Sequence, residues 1–220
     1  MEIIYPPRPE FRVLPKSLFQ YEGKDWLAQA KLNGSYGVLR LEDGARTMFN
    51  RHGEVMTNVI DLPFSKLYRG SGTMILCGEY MNKAKKFKGN PWNHKFVVFD
   101  IIELNGERFT GTTLEYRLSI LDELYGKESV KLDEEGADGT DYALYFAGSR
   151  SDPFYRCVSF DLEFERLFNH AAYICGKEGN GIYEGIVIKR KTARLEPCTS
   201  ETSNSGWQLK SRVATKNYSF

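Results

Sequence analysis

WLAQAKLNGSYGVLRLE, residues 26–42, carries two short apolar runs on either side of Asn33-Gly34-Ser35. In WLAQAKL (26–32) and YGVLRLE (36–42), apolar and polar residues interleave as short strands require, and Asn-Gly between them is turn chemistry. Asp43-Gly44 marks a second tight reversal, into ARTMFNR. The three runs are predicted to form an antiparallel meander, with Lys31 at the mouth of its first turn. Further along, TMILCGEYM (73–81) and KFVVFDIIEL (95–104) are the most apolar strand candidates, and LEYRLSILDELYG (114–126) has helical spacing that stops at Gly126. Residues 127–141 are acidic and turn-rich, which suits a solvated loop. A strand at YALYFAG follows. A helix is then expected over DLEFERLFNHAAYICG, with Leu162, Phe164, Leu167, Phe168 and Ala171 on its apolar face. YEGIVIKRK and WQLKSRV are the last strand candidates, separated by a polar loop over 192–206. There is no internal repeat, and strands mixed with helices outside a strict βαβ rhythm predict an α+β fold.

The composition bounds the partners. With 220 residues, 41% of them apolar, the chain can bury a substantial core. Its 30 basic and 29 acidic side chains nearly cancel, so a nucleic-acid surface would have to be a local patch. The N-terminal MEIIYPPRPEFRVLP lacks the pattern of a signal peptide, and nowhere do ~18 apolar residues run together, so a soluble intracellular protein without a membrane partner is expected. Cys77, Cys157, Cys175 and Cys198 stand far apart, as do His52, His94 and His170, and they signal neither a zinc site nor a disulfide framework.

Lys31 is the residue with the sharpest chemical question. A protonated amine is a poor nucleophile, with a free pKa of about 10.4, and it attacks phosphorus only where desolvation or nearby cations lower that value. Other positive charges are therefore expected around it. Lys-x-Asn-Gly alone is a short pattern with frequent chance matches, and its context carries the argument.

That context is a series of segments in order: Lys31-Leu32-Asn33-Gly34, Arg51-His52-Gly53, Leu76-Cys77-Gly78-Glu79, Phe99-Asp100-Ile101, Glu184-Gly185-Ile186-Val187-Ile188-Lys189 and Trp207-Gln208-Leu209-Lys210. Together they resemble the motif set of the ATP-dependent DNA and RNA ligase and capping-enzyme superfamily of nucleotidyltransferases. The resemblance runs from about Gln29 to Lys210 and implies an adenylyltransferase domain with antiparallel sheets flanked by helices around an ATP cleft. It implies Lys31 as the catalytic nucleophile, and Gln29, Arg51, Glu79, Phe99, Lys189 and Lys210 as nucleotide contacts. Phe99 would stack on adenine, Arg51 would meet ribose or substrate phosphate, and Lys189 and Lys210 would grip phosphate. Glu184, with Glu79, would serve Mg2+ (or Mn2+). ATP is the implied cosubstrate, and the implied partner is a nucleic acid with 5′-phosphate and 3′-hydroxyl ends, as in strand repair.

Departures from the pattern refine this expectation. Asn33 stands where aspartate is usual, Tyr36 where arginine is usual, and Gln208 where the first lysine of the closing segment is expected. These changes tilt the resemblance toward RNA ligases. A minimal ATP-dependent DNA ligase and a catalytically silent nucleotide- or nucleic-acid-binding module are the alternatives. Only SRVATKNYSF follows Lys210, so a single domain over residues 1–220 without a C-terminal OB-fold is expected. Lys83, Lys85, Lys86 and Lys88, interleaved with Phe87 and Trp92, are candidates to track a nucleic-acid backbone.

Overall fold

A computed structural model of the chain describes residues 9–82, 86–87, 90–131, 140–178, 181–197 and 204–214. Its strands are β1 (Phe11–Arg12), β2 (Trp26–Leu32), β3 (Ser35–Glu42), β4 (Ala45–Phe49), β5 (Thr73–Tyr80), β6 (Lys86–Phe87), β7 (Asn90–Pro91), β8 (Phe96–Leu104) and β9 (Glu107–Arg108). After the helix α1 (Leu114–Tyr125) come β10 (Ser129–Lys131), β11 (Thr140–Phe146) and β12 (Phe154–Cys157). Helix α2 (Phe164–Glu178) precedes β13 (Tyr183–Arg190) and β14 (Gln208–Arg212). The architecture is α+β, as the mixed pattern of elements predicts.

Two sheets hold most of these strands. The smaller has the order β1-β14-β13-β2, and the larger runs β10-β11-β12-β8-β5-β3-β4 with β9 on β8. The meander expected over residues 26–51 is split between them. β3 pairs with β4 and β5, whereas β2 pairs with β13, so Asn33-Gly34 carries the chain from one sheet to the other instead of closing a hairpin. Contacts on both sides fix this crossover. The Asn33 N–H donates to the Ile182 carbonyl at 2.8 Å. At Gly34 a Cβ would lie 2.6 Å from the Tyr80 carbonyl oxygen, so only glycine fits against the end of β5.

The helices cover the sheets by periodic apolar faces. On α2, Phe164, Leu167, Phe168, Ala171 and Ile174 share a buried cluster with Ala28, Ala30 and Leu32 of β2 and Ile186 and Ile188 of β13. Leu162, expected on that face, precedes the helix and is exposed. On α1, Thr113 Oγ1 caps the first turn by accepting from the Tyr116 N–H at 3.3 Å, and Gly126 ends the helix with φ of 70°. Leu114, Arg117 and Leu121 are its buried residues, and it packs on β8. Each fully buried leucine or phenylalanine contributes roughly 1.5–3 kcal/mol by area. Among the described residues, no helix is long and apolar enough to cross a membrane.

Candidate active site

The two sheets meet around a depression with two parts. An apolar pocket is walled by Gln29, Val187, Lys189 and Gln208 from the smaller sheet and by Tyr36 and Phe99 from the larger. Beside it lies a polar cleft of about 800 Å³, with Asn33, Arg51, Glu184, Lys210 and Arg212 on its walls. Lys31, Tyr36, Glu79 and Pro9 line both parts, so Lys31 stands on their boundary.

Strand alternation explains most of this wall, and two bulges explain the rest. Along β2, Gln29 and Lys31 point to one side while Ala28, Ala30 and Leu32 join the core. Along β13, Ile186 and Ile188 face the core, so uninterrupted alternation would send Glu184 there as well. The ladder with β2 pairs Tyr183 with Leu32 and Gly185 with Lys31, which leaves Glu184 as the extra residue and turns it to the cleft. Gly185 has φ of 134°, and a Cβ there would stand 2.0 Å from the Ser211 carbonyl oxygen, so the bulge requires glycine. A second shift lies in β8: Cys77 pairs with Asp100 and Gly78 with Val98, leaving Phe99 as the extra residue. Both bulges thus set residues that face the depression.

The cleft is organised by charge. The Lys31 amine donates to Glu184 Oε1. Arg212 Nη2 donates to both oxygens of Glu184, at 2.8 and 3.0 Å. Burial alone would raise the Glu184 pKa, but the Lys31 and Arg212 cations outweigh it and hold the carboxyl below its ordinary value. Glu79 Oε1 accepts from the Gly34 N–H at 3.0 Å, tying the crossover to β5. The Lys210 amine donates to the Pro9 carbonyl at 3.0 Å, and Arg51 lies exposed, with its Nε 2.9 Å from His52 Nε2.

The pocket is organised differently. Lys189, expected to grip phosphate, is buried on the pocket wall, where its amine donates to Gln29 Oε1 at 2.6 Å and lies 4.7 Å from the centre of the Phe99 ring. Position decides this, because Lys189 lies two residues beyond Val187 on the face that packs toward β8. Burial pushes the Lys189 pKa down, and the Asp100 carboxylate offsets part of that shift. Gln29 Nε2 donates to Ser159 Oγ at 3.0 Å. Tyr36 packs on Phe99 with ring centroids 5.6 Å apart, and burial, then the neighbouring Cys77 and Asp100, push its phenol pKa well up. Beneath them Asp100 is gripped by the buried Arg117, Nε to Oδ1 at 2.9 Å and Nη2 to Oδ2 at 3.0 Å, which pins α1 to β8.

Gln29, Lys31, Arg51, Glu79, Phe99, Glu184, Lys189 and Lys210 therefore line one depression. Lys83, Lys85 and Lys88 lie outside the described residues, as does the side chain of Lys86. Arg212 is the residue that motif spacing misses. Gln208 stands where the sequence leads one to expect a cation, but alternation along β14 carries the pair at Lys210 and Arg212 into the cleft and leaves Gln208 in the pocket. Asn33 likewise gains a reason: its Nδ2 donates to the Gly181 carbonyl at 3.3 Å, which an aspartate could not do. No cluster of three or more His, Cys, Asp or Glu side chains occurs among the described residues. Two carboxylates on one cleft nevertheless fit the manner in which Mg2+ binds, through one or two protein carboxylates together with substrate phosphates and water.

A mycobacterial DNA ligase D complexed with ATP and MES superposes with a TM-score of 0.57 at 16% identity, over 94% of this chain and 60% of that one. The fold is that of the ATP-dependent ligase nucleotidyltransferases. The ligase domain of M. tuberculosis LigD gives 0.56 at 15% identity over 95% of this chain and 59% of its own, and a Lig E DNA ligase, described as binding DNA with a minimal scaffold, gives 0.52 at 15% over 96% and 69%. The chain spans about three-fifths of the length of the two mycobacterial ligases. No family model matches it, and no curated protein matches it by sequence.

Proposed function

We propose that the chain is an ATP-dependent polynucleotide ligase that works through a lysyl-AMP intermediate on Lys31. The observation that carries this reading is the place of the Lys31 amine, on the boundary between an apolar pocket suited to a base and a polar cleft suited to phosphates. Phe99 and Val187 offer the base two apolar partners. Arg212 shares Glu184 with Lys31 and, with Lys210, places positive charge on the wall of the cleft where phosphates would lie. The Lys31 nitrogen then attacks the α-phosphorus of ATP: a P–N bond forms, the bond to the β-phosphate oxygen breaks, pyrophosphate leaves, and the amine proton passes to Glu184. Glu79 and Glu184 would hold Mg2+ (or Mn2+) with phosphate oxygens, where it would neutralise charge developing on the leaving group. AMP passes next to a 5′-phosphate, and a 3′-hydroxyl displaces it to seal the strand.

Asn33 and Tyr36 favour the RNA-ligase branch, and substrate choice is read directly by experiment. The protein is incubated with α-labelled ATP and Mg2+ and then chased into matched RNA and DNA nicks and single strands. Covalent label that transfers to a 5′-phosphate and yields sealed product is expected, with RNA ends preferred. Absence of label would make the chain a silent module, and label without sealing would make it an adenylyltransferase with another acceptor.

A further inference from the structure

The geometry points to Gln208 as the residue that reads the nucleotide base, its carboxamide pairing with the amino and ring-nitrogen edge of adenine. This inference rests on the proposed nucleotide site and names what selects the nucleotide there.

Gln208 is 2% exposed, lines the apolar pocket, and has an Nε2 with no hydrogen-bond partner. A buried amide left in this state is unfavourable unless something else completes it. Its neighbours on the same wall are already engaged. Gln29 spends its oxygen on the Lys189 amine and its nitrogen on Ser159 Oγ. Lys189, paired across the ladder with Gln208, can only donate. Phe99 and Val187 present apolar surfaces, and stacking accepts any base. Among the described residues that line the pocket, Gln208 Nε2 and the Tyr36 hydroxyl are buried without a hydrogen-bond partner, and of these two groups only the Gln208 carboxamide sets a donor atom beside a separate acceptor atom.

A carboxamide sets a donor beside an acceptor, in either orientation of the group. That pair complements a base edge with an amino group next to a ring nitrogen, and the bidentate pairing of glutamine with adenine is a recurring form of it. A base edge carrying two acceptors leaves the glutamine oxygen unmatched. The strand supports the assignment, since β14 places Gln208 in the pocket and Lys210 and Arg212 in the cleft, so base and phosphates would be met by alternate residues of one strand.

The test compares covalent labelling by ATP with labelling by purine riboside 5′-triphosphate, which lacks the 6-amino group, in wild type and Gln208→Met. Wild type should prefer ATP in kcat/KM by about tenfold to a hundredfold, and in Gln208→Met the ratio should collapse toward one. Gln208→Glu keeps the size and the acceptor and guards against a folding failure of the first variant. It should retain a preference for the 6-amino group while losing affinity for ATP. If Gln208→Met folds and keeps the wild-type ratio, or if Gln208→Glu loses all preference, the inference is overturned while the ligase reading stands. A wild-type chain that takes label from no nucleoside triphosphate would overturn both.

Discussion

Asp100 and Glu184 are both carboxylates gripped by an arginine through two hydrogen bonds, yet they live in different surroundings. The Asp100–Arg117 pair is sealed, with side-chain exposures of 3% and 0%. Glu184 and its partners Lys31 and Arg212 are open to the cleft, at 22%, 19% and 32%. A sealed pair cannot exchange partners without leaving charge buried, so it works as a fastener between α1 and β8. An open one can hand its charges to an incoming ligand, because water and the ligand can compensate each group as it moves. Solvent access thus separates a structural ion pair from a reactive one.

The largest expected effect tests the open side. Lys31→Ala should abolish covalent labelling by α-labelled ATP while leaving the melting transition intact, and persistent label would remove Lys31 from the nucleophile's role. On the sealed side, Arg117→Met should cost about 3–5 kcal/mol in denaturant titrations, because it strands a buried carboxylate. Arg212→Met should behave oppositely, with a stability change of about 0–1 kcal/mol and a loss of labelling rate on the order of a hundredfold. Equal destabilisation by the two methionine variants would erase the distinction between sealed and open pairs. Phe99→Ala should weaken nucleotide binding by about tenfold in direct titrations.

The smallest effect concerns a third held carboxylate, Asp152, remote from the depression. A hydrogen bond from Lys66 and another from the Ser149 N–H hold its pKa below the ordinary 3.8 against the effect of burial. Its stabilising contribution is therefore complete above that value and lost as pH falls through the depressed one. Asp152→Asn should flatten the acid limb of the stability profile and leave labelling near neutral pH as it was. A change in labelling would mean that this carboxylate reaches the site.

Much of this was legible in residues alone. The run 26–32 is a strand with the bounds its alternation predicts, and Gly126 ends α1 where the helical spacing stops. Sheet membership was not legible, because Asn33-Gly34 has the same turn chemistry whether it closes a hairpin or crosses between sheets. β12 escaped notice because Phe154, Tyr155, Arg156 and Cys157 are all buried, and a strand buried on both faces shows no alternation. The motif spacing brought Lys31, Glu79, Phe99, Glu184 and Lys189 to one depression but did not reveal the surroundings of Lys189, which depend on Gln29 and Phe99 from distant parts of the chain. Arg212 stayed hidden because its role follows from strand direction, which motif letters do not encode.

The crossover at Asn33-Gly34 has a mechanical corollary. Two residues after Lys31 the chain changes sheets, so the amine and the Phe99 ring ride on separate jaws, like the tips of a calliper. Behind the tips the jaws pack on one another through buried residues that do not line the opening, Met81 and Val97 among them. Turnover can then be tuned by residues that never meet a nucleotide, and a mutational screen confined to the cavity would overlook them.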